Sequence, residues 1–325
     1  MAAVLRLGAR GAALLRAEAG PGGLRIARFD RARDARELPG PEPVTLLLPP
    51  GAAALARAET HVPRPGLVTG RTIEDALAEA QAAMAAPDRA ILSCRPYAYD
   101  ADGTAREEAP VGERLGGLTV RAAALTASVA ALARLEREAA PFAVEGVITA
   151  PDALGAASLR GGEGTAVRVG WDETHAAQLT AGVVTAQARV PVGRRHLEGD
   201  LAQALALEPS EAARRTDAVL SGVSSDDRAI GVVRDRMDEL TRLLRAVAAE
   251  GGLRLDDAVL SGLPPRAAQR WLDARPAPAM PKPLADEPGL YGAALLALGL
   301  RGSVDRAVLA SPARPSWRAW LRRRF

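Results

Sequence analysis

The sequence predicts an α/β protein, and three observations carry that prediction. Short apolar runs of strand length alternate with longer stretches whose apolar residues recur at helical spacing. Glycine- and proline-containing turns separate them. With 48% hydrophobic and 25% charged residues, the composition is that of a folded globular chain. A length of 325 residues suggests two or three domains, or one elaborate one.

Taken in order, residues 3–16 (AVLRLGARGAALLR) read as strand, glycine turn and strand, and 24–29 (LRIARF) as a third strand. Pro39, Pro41 and Pro43 mark a loop before Val44–Leu48, a short buried-strand candidate closed by Pro49 and Pro50. Thr72–Met84 is a helix, with Thr72 as its N-cap and Glu74 and Asp75 favouring the positive helix start. Ala90–Ser93 and Leu118–Ala124 are strand candidates, and Ala127–Glu138 is a helix. Strand-like runs follow at Ala143–Thr149, Ala166–Gly170, Ala177–Leu179 and Gly182–Arg189. The helices after them are Glu198–Leu207, Pro209–Leu220, Arg228–Glu250 and Pro265–Asp273, with a strand at Val259–Ser261. Asp226, after Ser224 and Ser225, reads as a helix cap rather than half of a catalytic carboxylate pair. No repeat of short period is present.

Charge and rare residues narrow the function. The 42 Lys+Arg residues include one lysine, Lys282, and 39 acids balance them to a formal charge of +3. The skew toward arginine is compositional, so the pI near 9.6 is weak evidence for nucleic acid, and none is expected as a partner. Cys94 as the single cysteine excludes an intramolecular disulfide, and it reads as buried filler. With only His61, His175 and His196 alongside it, a Cys/His zinc cluster is excluded and no metal site is expected. There is no Walker A loop, Rossmann glycine pattern or Ser-His-Asp order. The arginines within Met1–Arg16 break any signal-peptide core, and no apolar run reaches membrane-spanning length, so the expected location is cytoplasmic.

Glycine-turn hairpins at Leu5–Leu15 and Val167–Val184 open the two halves of the chain. Further motifs are RPYAYDADG (Arg95–Gly103), the Pro-Val-Gly of Pro110–Gly112, PVGRRHLEGDLAQAL (Pro191–Leu205), AVLSG (Ala258–Gly262) and EPGLYGAALLALG (Glu287–Gly299). In order and spacing these resemble the actin-type ATPase superfamily and, within it, a reduced, degenerate homologue of the bacterial cell-division protein FtsA. The resemblance implies an actin-like, ribonuclease-H-like two-lobed fold with an inserted small α/β subdomain. On that pattern residues 1–42 and 145–160 form a reduced first lobe. Residues 43–144 are the insertion (1C-like), a self-association module in that family, which implies a homo-oligomer. Residues 161–300 form the second lobe, with the family's 2B subdomain largely missing, and 301–325 are a linker and terminal helix. Because 2B is where that family docks FtsZ, FtsZ or another divisome protein as partner is in question.

The family's ligand is ATP with magnesium, and its phosphate motifs are degraded here, so no cofactor is expected. Arg6 and Arg168 stand at the hairpin positions where the family has metal-holding acids, followed by Gly8 and Gly170. Trp171 and Asp172 replace two glycines, Glu173 a threonine and His175 the closing aspartate. Gly193 and Gly262 are retained, whereas Leu263 replaces the second adenosine-loop glycine, and Ala213 and Thr216 the family's Glu and Lys. Two readings stay open: Arg6 and Arg168 pair internally with Asp172 or Glu173 and close a dead site, or the two guanidiniums replace the metal and bind a bare anion. Either way no catalytic residue is assigned, and the chain reads as a pseudo-ATPase.

The C-terminal stretch SPARPSWRAWLRRRF (Ser311–Phe325) reads as a linker and a short amphipathic helix. Trp317, Trp320, Leu321 and Phe325 fall in one sector, with Arg318, Arg322 and Arg323 outside it and Arg324 within it. The pattern fits an interfacial helix on anionic lipid and resembles the membrane-targeting helix of FtsA. The expected function is an FtsA-like scaffold, peripheral on the inner face of the cell membrane. The alternatives are a PilM-like pilus-assembly homologue docking a short partner peptide, or an active actin-fold ATPase or kinase.

Overall fold

The structure is a computed structural model and describes residues 1–8, 11–20, 23–40, 42–159, 162–271, 273–284 and 287–300. In chain order the elements are β1 (Ala2–Gly8), β2 (Gly11–Gly20), β3 (Gly23–Ala32), β4 (Pro43–Leu47), β5 (Ala53–Leu67), α1 (Gly70–Ala83), β6 (Arg89–Ala101), β7 (Thr104–Arg106), β8 (Arg114–Ser128), α2 (Val129–Glu138), β9 (Ala143–Ile148) and α3 (Ala150–Ser158). They continue with β10 (Gly164–Val169), β11 (Thr174–Thr180), β12 (Val183–Val190), α4 (Arg194–Leu205), α5 (Pro209–Leu220), α6 (Asp227–Glu250), β13 (Val259–Ser261), α7 (Pro265–Arg270), β14 (Arg275–Pro276) and α8 (Pro288–Ala297).

Two sheets share one topology. The first runs β3-β2-β1-β4-β9 and the second β12-β11-β10-β13-β14, each an antiparallel three-strand meander followed by two parallel strands. The duplication is one of topology, which is why the sequence shows no short repeat. Alternation along β1 sends Leu5 and Leu7 to one core with Leu132 and Leu135 of α2. Val4 goes to the other face, with Leu290, Ala293 and Ala294 of α8. In the second sheet Val167 and Val169 of β10 pack on Leu197 and Leu201 of α4 and Leu240 and Leu244 of α6. Ala166 turns the other way, toward Leu154 of α3.

The third sheet, β5-β8-β6-β7, belongs to the insertion and carries α1 on Ile73 and Ala76. Its extent corrects two expectations. Val44 to Leu47, assigned to the insertion, pair in parallel with β9 and lie in the first sheet, and α2 packs there too. The insertion proper is β5 to β8. The long β5 was not foreseen: Arg57, Glu59, His61, Pro63 and Pro65 look like loop residues, but β5 is an edge strand, where outward polar side chains and proline are tolerated. Ala90–Ser93 is likewise only part of the longer β6.

Caps correct one further reading. Thr69, not Thr72, is the N-cap of α1, and Thr72 closes a capping box: Thr69 Oγ1 accepts from the Thr72 N–H at 3.2 Å and Thr72 Oγ1 from the Thr69 N–H at 3.1 Å. Asp226 caps α6 as expected, accepting from the N–H groups of Arg228 and Ala229 at 3.1 Å each. The helix expected to reach Asp273 ends at Arg270, and α3 and α8, unassigned from the sequence, are both helices. Among the described residues, no helix is long and apolar enough to cross a membrane.

Candidate functional site

The layer between the two lobes is built from α3 and α8. Helix α8 packs on β1, β2 and β4, while α3 packs on α8 and on β10, β11 and β12. Small residues let the two helices approach. A Cβ at Gly292 would stand 2.7 Å from the Ala153 carbonyl carbon and nearer still to its oxygen. Side chains that alternate away from the Leu5/Leu7 and Val167/Val169 faces point into this layer. Arg6 and Arg168 are those side chains.

Each arginine begins a row across its sheet. In the first lobe Arg6 pairs with Ala13, and Ala13 with Arg31. In the second lobe Arg168 pairs with His175, and His175 with Arg189. Directly paired residues share a face, so the duplicated topology places two arginines flanking a central residue in each lobe.

Glu287, the residue preceding α8, answers the first row. Its carboxylate lies 3.2 Å from Arg6 and 3.6 Å from Arg31, with only 7% of its side chain exposed. The Arg6 guanidinium also donates to the Gly11 carbonyl at 3.3 Å and lies over Gly8, where a Cβ would be 3.1 Å from Nη1. It therefore lies against Gly8 and Gly11, the strand ends on either side of the first hairpin turn. In the second row, Nη1 of Arg168 lies 3.4 Å from where a Cβ of Gly289 would be, at the start of α8. His175 is buried, and burial together with the Arg168 charge lowers its pKa to about 3. Glu173 pairs with Arg189 at 3.1 Å, and burial still pushes its carboxyl above the usual range. Arg189 reaches the first lobe as well, since a Cβ at Gly51 would stand 2.7 Å from its Cζ.

The second hairpin turn is closed by its own backbone. The Gly170 N–H donates to the Glu173 carbonyl at 2.8 Å. The first N–H groups of α4, Arg194 and Arg195, donate to the Gly170 and Trp171 carbonyls at 2.9 Å each. Gly193 is squeezed against this turn, where a Cβ would be 2.6 Å from the Glu173 nitrogen. Helix-start donors that an anion would use are spent on the turn. Asp172 pairs outward with Arg195 at 2.9 Å. Gly262, at φ +85°, sits with its Cα against the Val169 carbonyl, and Leu263 joins the second-lobe core.

The structure thus brings Arg6 and Gly8 to one side of the layer and Arg168, Gly170, Trp171, Gly193 and Gly262 to the other. The expected pairing is corrected for Arg6, which pairs with Glu287; Asp172 pairs with Arg195, and Glu173 pairs with Arg189 while also feeling the Arg168 charge. Distance explains it, because Glu287 is separated from Arg6 by almost the whole sequence and α8 returns it to β1. Arg31 and Arg189 were also missed. Their signal was the in-register spacing from Arg6 and Arg168, legible only once strand pairing is known. Cys94 is half-buried in β6, and burial raises its thiol pKa to about 11. Trp317, Arg318, Trp320, Leu321, Arg322, Arg323, Arg324 and Phe325, expected from the sequence to form a membrane-binding helix, lie outside the described residues.

No family model matches the chain, and no curated protein matches its sequence. Solved structures do. The chain is similar, at 16% identity and TM-score 0.55, to a PilM–PilN type IV pilus biogenesis complex, over 91% of this chain and 98% of that one. The fold is actin-like. Another solved structure it resembles is the ethanolamine utilization protein EutJ of Carboxydothermus hydrogenoformans, at 15% identity and TM-score 0.46, over 91% of this chain and 89% of that one.

Proposed function

We propose that the chain is a non-hydrolysing actin-fold scaffold that docks a short segment of a membrane-assembly partner, as a PilM-like protein of pilus assembly would. The observation that carries this is the Arg6 guanidinium, which lies against Gly8 and Gly11 and is held by Glu287. Magnesium-bound phosphate requires carboxylates at the two strand ends, and both positions hold guanidiniums. The residues present do not fit Mg-ATP. Arg6, Arg168 and Arg189 occupy the lobe boundary with the protein's own contacts. Support for the PilM-like form comes from the end-to-end likeness in fold. It also comes from the short connection, residues 221–226, between α5 and α6, which leaves no room for an FtsZ-docking subdomain.

A second reading, an FtsA-like cell-division scaffold, is favoured by the amphipathic stretch Ser316–Phe325. In either form the protein is peripheral on the inner face of the membrane. Calorimetric titration with ATP, with and without magnesium, tests the shared claim: no tight binding and no hydrolysis are expected, and micromolar magnesium-dependent binding would refute it. Pull-down from the native host separates the two forms. A membrane protein with a short cytoplasmic segment is expected, and recovery of a divisome filament protein instead selects the second reading.

A further inference from the structure

Residues 275–283, RPAPAMPKP, connect the edge of the second sheet to the 3-10 turn Lys282–Leu284 before α8. Pro276, Pro278, Pro281 and Pro283 have φ fixed near −65°, and Arg275, Ala277 and Met280 each precede a proline, which biases them to extended or polyproline conformations; Lys282, also before a proline, opens the 3-10 turn. Only Ala279 escapes both constraints. Covalent geometry therefore favours an extended or polyproline II course from Arg275 to Pro281, where the 3-10 turn takes over.

The structure shows how that segment is held. The Arg275 N–H donates to the Ala258 carbonyl and the Ala277 N–H to the Leu260 carbonyl, each at 2.8 Å. The alternate positions, Pro276 and Pro278, lack an N–H to offer outward, so a further strand cannot add to this edge. The other end is anchored by Leu284, which is fully buried. From Pro276 to Lys282 exposure follows a period of three, with Pro276, Ala279 and Lys282 exposed and Ala277, Pro278, Met280 and Pro281 half-buried; Arg275 and Pro283 at the two ends are exposed as well. Three residues per turn is the polyproline II repeat, and it also aligns Arg275, Pro278 and Pro281 on the adjoining ridge.

We propose that Arg275–Pro281, with Lys282 at the start of the following turn, is a preformed polyproline-like docking ridge for a partner domain with an aromatic-lined groove flanked by carboxylates. The prolines supply the ridges such grooves grip, and the exposed cations Arg275 and Lys282, the chain's single lysine, fit carboxylates at either end. Arg275, Pro278 and Pro281 have the Arg-x-x-Pro-x-x-Pro spacing of peptides bound by SH3 domains. Anchoring at both ends spares the ordering entropy that a free proline-rich peptide loses on binding. The ridge is separate from the layer between the lobes and stands whether or not that layer binds nucleotide.

A purified SH3 domain that selects Arg-x-x-Pro-x-x-Pro peptides is the probe, titrated by calorimetry against the full chain. Saturable one-to-one binding is expected. Pro278→Ala with Pro281→Ala should weaken it about tenfold or more, and Arg275→Glu, which keeps every proline, should do the same. Thermal midpoints of the variants establish that they fold. Failure of the full chain to bind, including the case where a synthetic 274–284 peptide binds and the protein does not, overturns the proposal. So does binding that both variants leave unchanged.

Discussion

Replacing Gly292 by alanine tests whether α8 is locked on α3 by backbone contact. A methyl group there would stand 2.7 Å from the Ala153 carbonyl carbon and 3.1 Å from the Ala157 nitrogen. Ordinary carbon contacts are near 3.5–4.0 Å, so α8 would have to withdraw by about 1 Å or more along its buried face. Alanine gains about 1 kcal/mol over glycine in a helix interior. Overpacking of this kind costs about 1–3 kcal/mol, occasionally more, and here the obstacle is another helix's backbone rather than a side chain that can rotate away. The net expectation is a loss of about 1–2 kcal/mol, or a fall of very roughly 2–8 °C in the thermal midpoint. Gly231→Ala in α6 is the control, because a Cβ there meets nothing within 4 Å. It should stabilise by up to about 1 kcal/mol. Differential scanning fluorimetry and urea unfolding read both variants. If Gly292→Ala is as stable as Gly231→Ala, the close α3–α8 packing is wrong.

Three more expectations concern charge and the membrane. His175 titrates at about 3 when folded and near 6.5 when unfolded, so the unfolded chain binds the extra proton in between and stability falls as pH drops through that window, by up to about 1.4 kcal/mol per pH unit. Glu173, whose pKa is raised, acts in the opposite direction; urea unfolding of His175→Gln between pH 7 and 4 should show a flatter acid limb than wild type. Glu287→Gln leaves Arg6 and Arg31 facing a neutral amide and should cost about 3 kcal/mol in urea unfolding, whereas Arg25→Ala, on the exposed Glu18 pair, should leave the transition where it was. Co-sedimentation with anionic but not neutral liposomes is expected for the full chain, weakening with salt and lost on deleting Ser316–Phe325; undiminished binding by the deletion variant would rule out the anchor.

The parts of the fold visible in the sequence were those fixed by local chemistry. The strands around Leu5, Leu15 and Val167 and the long helix after Asp226 follow from alternation, helical period and capping, and all are present. What stayed hidden depended on pairing between distant segments. Edge strand β5 carries charges and prolines because, among the described residues, no strand pairs with one side of it, so its own residues look like a loop. The site divided the same way. Arg6 and Arg168 were identifiable as misfits for metal chemistry from their positions beside Gly8 and Gly170. Their companions Arg31 and Arg189 become visible only through strand register, and Glu287 only through the return of α8 to β1.

The insertion has a mechanical consequence. Its chain enters at Ala53 and leaves beside it, at Ala127, while Leu67 and Arg114 meet at the far end of the same ladder, about 45–50 Å away along β5. Hydrogen bonds in an antiparallel pair lie perpendicular to the strands. A load applied at the far end therefore runs along the covalent backbone of both strands and leaves the rows of the ladder unparted, so the insertion behaves as a stiff strut. A load that parts Ala53 from Ala127 breaks the rows one after another, and there the same element peels open like a zip.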